Sequence, residues 1–295
     1  MENVNDFSIR LKEKLDFTDY KHINELQDIC IAFDGVALKL ELDFKLNRAE
    51  KQVGYLNNIN EFMYFHKETL IGYLGICQFG RDTMEINGMV HPEFRRMGIF
   101  KKLFLLVKDE INRRNPKTVL LLSDNNSASG IEFIKLLGAT HHHSEYEMFV
   151  KKEANKQLEK NNIILRKAKN KDGREIAYQN SIYFNEEFNE QEISKPEEEE
   201  KCGLFIYVAE LEEKIIGKVN LEITNGVGGI FGLGVRPEYR GRGYGREILM
   251  KAIEILKEKG AKDIMLQVEA KNSNALNLYK SCGFEETSTM NYYEL

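Results

Sequence analysis

The stretch "RPEYRGRGYG", Arg236 to Gly245, places three glycines within five residues directly ahead of an amphipathic run, "REILMKAIEILKEKG". In that run Ile248, Leu249, Ala252, Ile253 and Leu256 recur at helical spacing on one face, and Gly260 suits the residue just past a helix end. The first amides of a helix have no partner within the helix, and the macrodipole adds partial positive charge there. Bare backbone at such a mouth is a ready anion site, and a pyrophosphate is its usual occupant. Arg240 can bond an outer phosphate oxygen, while Gly241, Gly243 and Gly245 let the backbone approach without Cβ atoms in the way. The spacing is RxxGxG, so the dinucleotide pattern GxGxxG does not apply.

The same phrase stands earlier in worn form, "HPEFRRMGIF", His91 to Phe100. Val90, Pro92, Glu93, Arg95 and Gly98 recur as Val235, Pro237, Glu238, Arg240 and Gly243, at a constant offset of 145 (235 − 90, 243 − 98). Gly138 falls on Gly283 and Val150 on Leu295, so the copies align without a gap from about 89 and 234 onward. A period this long means duplicated domains, each able to bury its own core. The polar stretch "KKEANKQLEKNN" (151–162) lacks hydrophobic periodicity and reads as a linker between domains at 1–150 and 163–295.

In the second copy "NIILRKA" alternates as a strand, and "KDGREIAYQNSIYF" carries Ile176, Ala177, Asn180, Tyr183 and Phe184 at helical spacing, with Asp172 as its N-cap. "LFIYVAELEEKIIGKVNLEIT" reads as two strands around a charged turn at Glu212 to Lys214. "GGIFGLGV" is a short glycine-rich strand, "DIMLQVEA" a buried one, and "SNALNLYKSCG" a short helix before closing strand material. Antiparallel strands followed by a strand–helix–strand crossover predict an α+β domain, a mixed, mostly antiparallel twisted sheet flanked by helices.

"VRPEYRGRGYG", followed about thirty residues later by "NSNALNLYKSCGF", resembles the Gcn5-related N-acetyltransferase (GNAT) family, and the whole chain resembles its tandem members. The likeness is strong over 163–295 and weaker over 1–150, which keeps the framework and loses key letters. The resemblance implies two tandem GNAT-like domains and direct transfer of an acetyl group from acetyl-CoA, as co-substrate, to a primary amine. It implies that Arg240, Gly241, Arg242, Gly243, Tyr244 and Gly245 form the pyrophosphate loop. The thioester then lies between "GGIFGLGV" and "DIMLQVEA", which splay at a bulge, with amides near Leu233, Gly234 and Val235 facing its oxygen. Tyr279 matches the family tyrosine that protonates the departing thiolate. Asn272 and Asn274 match positions that contact the cofactor arm, although as helix caps they would look the same. The general base stays open. Ribosomal-protein alanine acetyltransferases of bacteria carry a glutamate where this chain has Gln267, and Glu222 and Glu269 are the substitutes; an amine deprotonated through water would need neither.

The offset places Ile134 where the second copy has Tyr279, Ser127 at Asn272 and Phe100 at Gly245, so the first copy is expected to be catalytically silent. Its remaining roles are to hold CoA through Arg95 and Gly98, to wall the acceptor cleft, or to pack. The acidic run "NEEFNEQEISKPEEEEK" (185–201) either draws in a cationic amine or is a solvated loop. His141 to His143 cannot all share one ion, because adjacent strand residues point to opposite faces, and no metal is expected. The four scattered cysteines, Cys30, Cys77, Cys202 and Cys282, read as reduced thiols of a cytoplasmic protein. The 295 residues are 42% hydrophobic and 30% charged with net charge −5, an ordinary soluble composition that offers no surface for nucleic acid. No run is apolar enough for a membrane helix, and the start is no signal peptide. The competing reading is a non-catalytic acyl-CoA-binding or regulatory module. Neither the acceptor amine nor the oligomeric state is legible.

Overall fold

The computed structural model describes residues 6–49, 58–78, 82–152, 163–184, 188–190, 193 and 195–295. Most of the stretch at 151–162 (153–162), and residues 185–187, 191, 192 and 194 of the acidic run, lie outside them. Two compact units result, one of Met1–Glu145 with Ser288–Leu295, the other Tyr146–Thr287.

In the first unit the elements run β1 (Phe7–Lys12), α1 (Phe17–Asp34), α2 (Leu42–Ala49), β2 (Glu61–His66), β3 (Thr69–Cys77), β4 (Thr83–Val90), α3 (Ile99–Arg114), β5 (Thr118–Asp124), α4 (Ala128–Leu136) and the start of β6 (Thr140–Val150). Strands β1 to β4 pair antiparallel in sequence order, and β5 joins β4 in parallel after the α3 crossover. One face packs Ile99, Leu103 and Val107 of α3 on Ile71, Ile76 and Ile86; the other packs Ile23, Leu26 and Cys30 of α1 on Met63, Phe65 and Tyr73. Helix α1 starts sharply because Asp16 and Asp19 form a capping box, and it stops at Gly35 with φ +66°.

The second unit repeats the plan with β7 (Ile164–Lys167), α5 (Gly173–Phe184), α6 (Pro196–Glu200), β8 (Phe205–Leu211), β9 (Lys214–Thr224), β10 (Val227–Val235), α7 (Tyr244–Glu258), β11 (Asp263–Glu269), α8 (Ser273–Ser281) and most of its sheet before the last strand, β12 (Phe284–Glu294). Strands β7 to β10 are antiparallel and β11 joins β10 in parallel. Glu212 and Glu213, both at positive φ (49° and 64°), make the tight turn between β8 and β9. The apolar stripe of α7 is buried on Ile216, Val219, Leu221, Ile230 and Leu266. Its four large side chains, Ile248, Leu249, Ile253 and Leu256, each stabilising by about 1.5–3 kcal/mol, hold the helix whose mouth forms the loop. Ile176 of α5 packs with Ala168, Ile206 and Val208 on the other face. Asp172 immediately precedes α5 as the last residue of a short 3-10 turn (Asn170–Asp172), where it accepts from the Lys169 amide (2.8 Å) and from Arg166 (2.7 and 3.1 Å).

The units are not the simple halves of the repeat. Residues Met290–Glu294 of β12 pair antiparallel with Leu120–Asp124 of β5 in the first unit, and Tyr146 to Val150 of β6 lie beside β11 in the second, with Met148 fully buried in that core. Each unit is therefore closed by the final strand of the other copy.

Candidate active site

Strands β10 and β11 pair only from Val227–Ile230 against Asp263–Leu266. Beyond those pairs β10 runs on to Val235 and β11 to Glu269, so the two arms part and leave backbone edges facing a gap. Just there β10 also bulges against β9: Phe231 opposes Asn220 and Gly234 opposes Lys218, which leaves two residues, Gly232 and Leu233, across from one. Gly232 takes φ +54° to make the bulge. The first unit splays in the same way, with β4 and β5 paired only from Thr83–Ile86 against Thr118–Leu121, but its β3–β4 register is unbroken. The bulge is thus an inserted residue. Ile86 corresponds to Ile230 at offset 144 (230 − 86), whereas Val90 corresponds to Val235 at 145 (235 − 90).

From Val235 the chain makes a 3-10 turn at Pro237–Tyr239, extends at Arg240, and turns left-handed at Gly241 (φ +74°) and Gly243 (φ +81°). Gly243 is the N-cap of α7, and it offers no side chain to the free amides of the first turn. A Cβ at Gly241 would meet open space, and one at Gly245 only ordinary contacts with Leu278 and Val235. Arg240 braces the turn by donating Nε to the Val235 carbonyl (2.9 Å), as Arg95 does to Val90 (3.0 Å). Its terminal nitrogens have no partner among the described residues, and the guanidinium stands 6.0 Å from the Tyr183 ring. Arg242 and Tyr244 flank the glycines, with the Tyr244 ring 6.3 Å from that of Tyr239.

Tyr279 lies on α8, its ring buried in the α7-side core 6.1 Å from Phe284, and its hydroxyl bonds no described residue. Burial pushes the phenol up to about 12, so it stays protonated at neutral pH. Asn272 is the cap of α8, its side chain accepting from the Ala275 amide (3.1 Å); Asn274 is exposed in the first turn. The two candidate bases lie on the opposite face. Ile264, Leu266 and Val268 of β11 point into the α7-side core, so Gln267 and Glu269 face away from it. Glu222 opposes Gly229, which opposes Met265, a row on that same outward face; Glu222 accepts from the Thr224 hydroxyl (3.2 Å). Glu269 is exposed at the tip of β11. Acid and base candidates can therefore meet only across the gap between the splayed arms.

Several residues escaped the sequence reading. The Tyr183 ring fills the space where a Cβ of Gly234 would be, and its hydroxyl donates to Gln179 (2.9 Å), which donates to Glu175 (2.8 Å). Lys218, buried, and Asn220 crowd the outward side of Gly232. The only sequence hint was alternation: Lys218, Asn220 and Glu222 occupy every second position of a strand whose other face is core. Four of the five described acids of the 185–201 run are engaged locally, Glu190 with Arg174 (2.8 Å), Glu198 with Lys195 (3.2 Å), Glu197 with Asn170 (2.9 Å) and Glu200 with Lys167. Among the histidines, His141 meets Ser144 (2.9 Å) and His143 stacks on Tyr292 (4.1 Å); no metal-holding cluster occurs among the described residues. No described helix is long and apolar enough to cross a membrane.

Residues 173–284 match the model of the acetyltransferase (GNAT) family. Over 65 residues the chain is 40% identical to [ribosomal protein bS18]-alanine N-acetyltransferase of Escherichia coli (strain K12), a match covering 22% of this chain and 44% of that protein. It is 42% identical over 59 residues to mycothiol acetyltransferase of Kocuria rhizophila, covering 20% of each. The chain thus spans less than half the length of these relatives in its matches. Among solved structures, a GCN5-related N-acetyltransferase from Sphaerobacter thermophilus superposes with TM-score 0.78 at 20% identity over 99% of this chain and 96% of that one. A tandem GNAT protein from the clavulanic acid biosynthesis pathway gives TM-score 0.74 at 12% identity over 98% of both. Residues 173–284 are accordingly similar to the acetyltransferase (GNAT) family, within a chain that has the fold of the tandem GNAT structures from end to end.

Proposed function

We propose that the chain is an acetyl-CoA-dependent N-acetyltransferase whose second unit carries the chemistry. The observation that supports this most is the freed segment Phe231 to Val235, bulged at Gly232 and parted from β11, leading directly into an uncapped helix mouth. The residues fit the co-substrate: left-handed glycines bare the amides for a diphosphate, and the Arg240 fork, without a partner among the described residues, can take an outer oxygen. The unpaired edge of β10 can hold the amides of an extended pantetheine arm as a further strand would. Amides at Leu233 to Val235 then face the thioester oxygen and stabilise the charge it gains as the amine attacks.

A primary amine, of a small molecule or a peptide, approaches from the outward face that carries Glu222 and Glu269. As the C–N bond forms and the C–S bond breaks, the amine gives up a proton to water or to one of these carboxylates, and Tyr279 passes its proton to the departing thiolate. The relative named for bS18 alanine acts on a protein N-acetyl acceptor, which is consistent with an amine acceptor here. A second reading, a non-catalytic acyl-CoA-binding module, draws support from the distance of both carboxylates from the bulge: Glu222 sits one strand away and Glu269 at an exposed tip. Thiol release from acetyl-CoA against a panel of amines decides between them. Turnover that collapses in Tyr279→Phe supports the enzyme; tight CoA binding with no turnover on any amine refutes it.

A further inference from the structure

The first unit has its own cleft, a cavity of about 380 Å³ between the parted arms of β4 and β5, the loop of Arg95 to Gly98 and α4. It occupies the place that the acyl-CoA groove holds in the second copy, and Gly98 (φ +77°) opens α3 as Gly243 opens α7. The first amides of α3 are uncapped like those of α7, but the arginine beside them and the amide at the reacting end are already engaged by the chain itself. At the anion end Arg95 donates from Nη1 and Nη2 to the two oxygens of Asp34 (2.8 and 2.6 Å) and from Nε to the Val90 carbonyl (3.0 Å), so its whole fork is used. Arg240, its counterpart, has no partner for that fork among the described residues. At the reacting end Gly88, which holds the position of the bulged pair Gly232 and Leu233, gives its amide to the Asn87 side chain (2.7 Å). The donor that would face a carbonyl oxygen is thereby occupied.

Of the other charged wall residues, Lys101 stands on the first turn of α3 and the rest are paired. Asp124 accepts from the amides of Ala37 (3.0 Å) and Asn126 (2.7 Å), and Arg96 pairs with Glu132 (3.5 Å). What remains is mostly apolar, with Leu38, Leu74, Ile86, Leu121, Phe133 and Ile134 beside a few serines. Phe133 and Phe100 meet edge to face at 4.8 Å beside the helix mouth. We infer that the first unit's cleft is a binding site for an uncharged, predominantly apolar small molecule, with Asp34 and Asn87 acting as built-in stand-ins for the phosphate and acyl oxygens of CoA and so excluding it. A neutral ligand loses nothing to the closed anion end, whereas CoA would have to break the Asp34–Arg95 fork and desolvate its phosphates against a carboxylate. The inference is independent of the chemistry proposed for the second unit.

The test uses the intact chain and the uncharged fluorophore N-phenyl-1-naphthylamine. The chain has no tryptophan, so Ser129→Trp places a single indole at the cavity wall. The expected result is saturable binding of one fluorophore per chain with quenching of that indole, and an affinity changed less than about threefold by saturating CoA. Calorimetry should count one CoA per wild-type chain, none in Gly243→Val, and a second site in Asp34→Ala/Asn87→Ala, where CoA now displaces the fluorophore. Failure of the double variant to gain a CoA site refutes the stand-in roles. An unquenched indole, displacement of the fluorophore by CoA from the unaltered cavity, or two CoA per wild-type chain overturns the inference as a whole. No CoA at all on the wild type would instead count against the second unit's proposed role and leave the fluorophore result standing.

Discussion

Gly243→Val has a matched control inside the same chain. Gly243 and Gly98 open their helices with nearly the same backbone, φ +81° and ψ −8° against φ +77° and ψ +8°. An L residue in this region costs about 1–2 kcal/mol, so valine at either site should lower the unfolding free energy by that amount. Binding is where the two should diverge. At Gly243 the added branches stand over amides that the proposed diphosphate needs, and charge-assisted hydrogen bonds are worth about 1.5–3 kcal/mol each. Losing two of them costs about 3 kcal/mol or more, which exceeds a hundredfold in Kd at about 1.4 kcal/mol per tenfold. At Gly98 the Asp34–Arg95 fork already closes the anion end, so the same substitution should leave CoA affinity unchanged. Urea unfolding and calorimetry with CoA, run on both variants, read the two effects separately. Equal loss of CoA affinity in both, or unchanged affinity in Gly243→Val, would refute the assignment of the loop.

Tyr279→Phe should lower kcat by about 10²–10⁴ with CoA affinity changed less than about threefold, since the phenol is assigned a proton and not a grip; stopped-flow thiol release and calorimetry give the two numbers. Because burial raises the folded-state phenol from 10 to about 12, its stabilising effect is full below pH 10 and is lost as pH climbs toward 12. The unfolding midpoint of wild type should therefore fall relative to Tyr279→Phe across that window alone. Gly234→Ala must expel the Tyr183 ring, at a cost of about 1–3 kcal/mol visible in urea unfolding. Glu110, buried and held as an anion by Arg113 (2.5 Å), Arg114 (2.6 Å) and the Ile59 amide (3.0 Å), anchors α3; Glu110→Ala should strip about 3–5 kcal/mol from the first unit, by hydrogen exchange of that unit's amides.

The helix mouth, the crossover and the repeat were legible because each depends on local signals: glycine runs, apolar period and a fixed offset. The alignment lost its gapless register just before 89 and 234, and the bulge at Gly232 and Leu233 is the physical reason, one residue inserted where β10 must bend. What stayed hidden depends on residues far apart in the chain. Asp34 meets Arg95 across sixty-one positions (95 − 34), and neither letter alone announces that the pair closes an anion site. Tyr183 reads as an ordinary helical aromatic until Gly234 is seen beneath its ring. The exchange of β6 and β12 was equally unreadable, since the two strands hold matching positions of the repeat and alternation specifies a strand without naming the edge it joins. Asn272 was left between ligand and cap, and its bond to the Ala275 amide shows it capping α8.

The central claim, that the second unit's freed strand and bare helix mouth present a thioester to Tyr279, is tested most directly by a crystal structure of the chain with acetyl-CoA. The diphosphate is predicted on the amides between Gly241 and Arg246, the acyl oxygen beside Leu233 to Val235, and the Tyr279 hydroxyl against the sulfur. A nucleotide docked away from this loop, or the Tyr279 hydroxyl turned from the sulfur into the α7-side core, would contradict it.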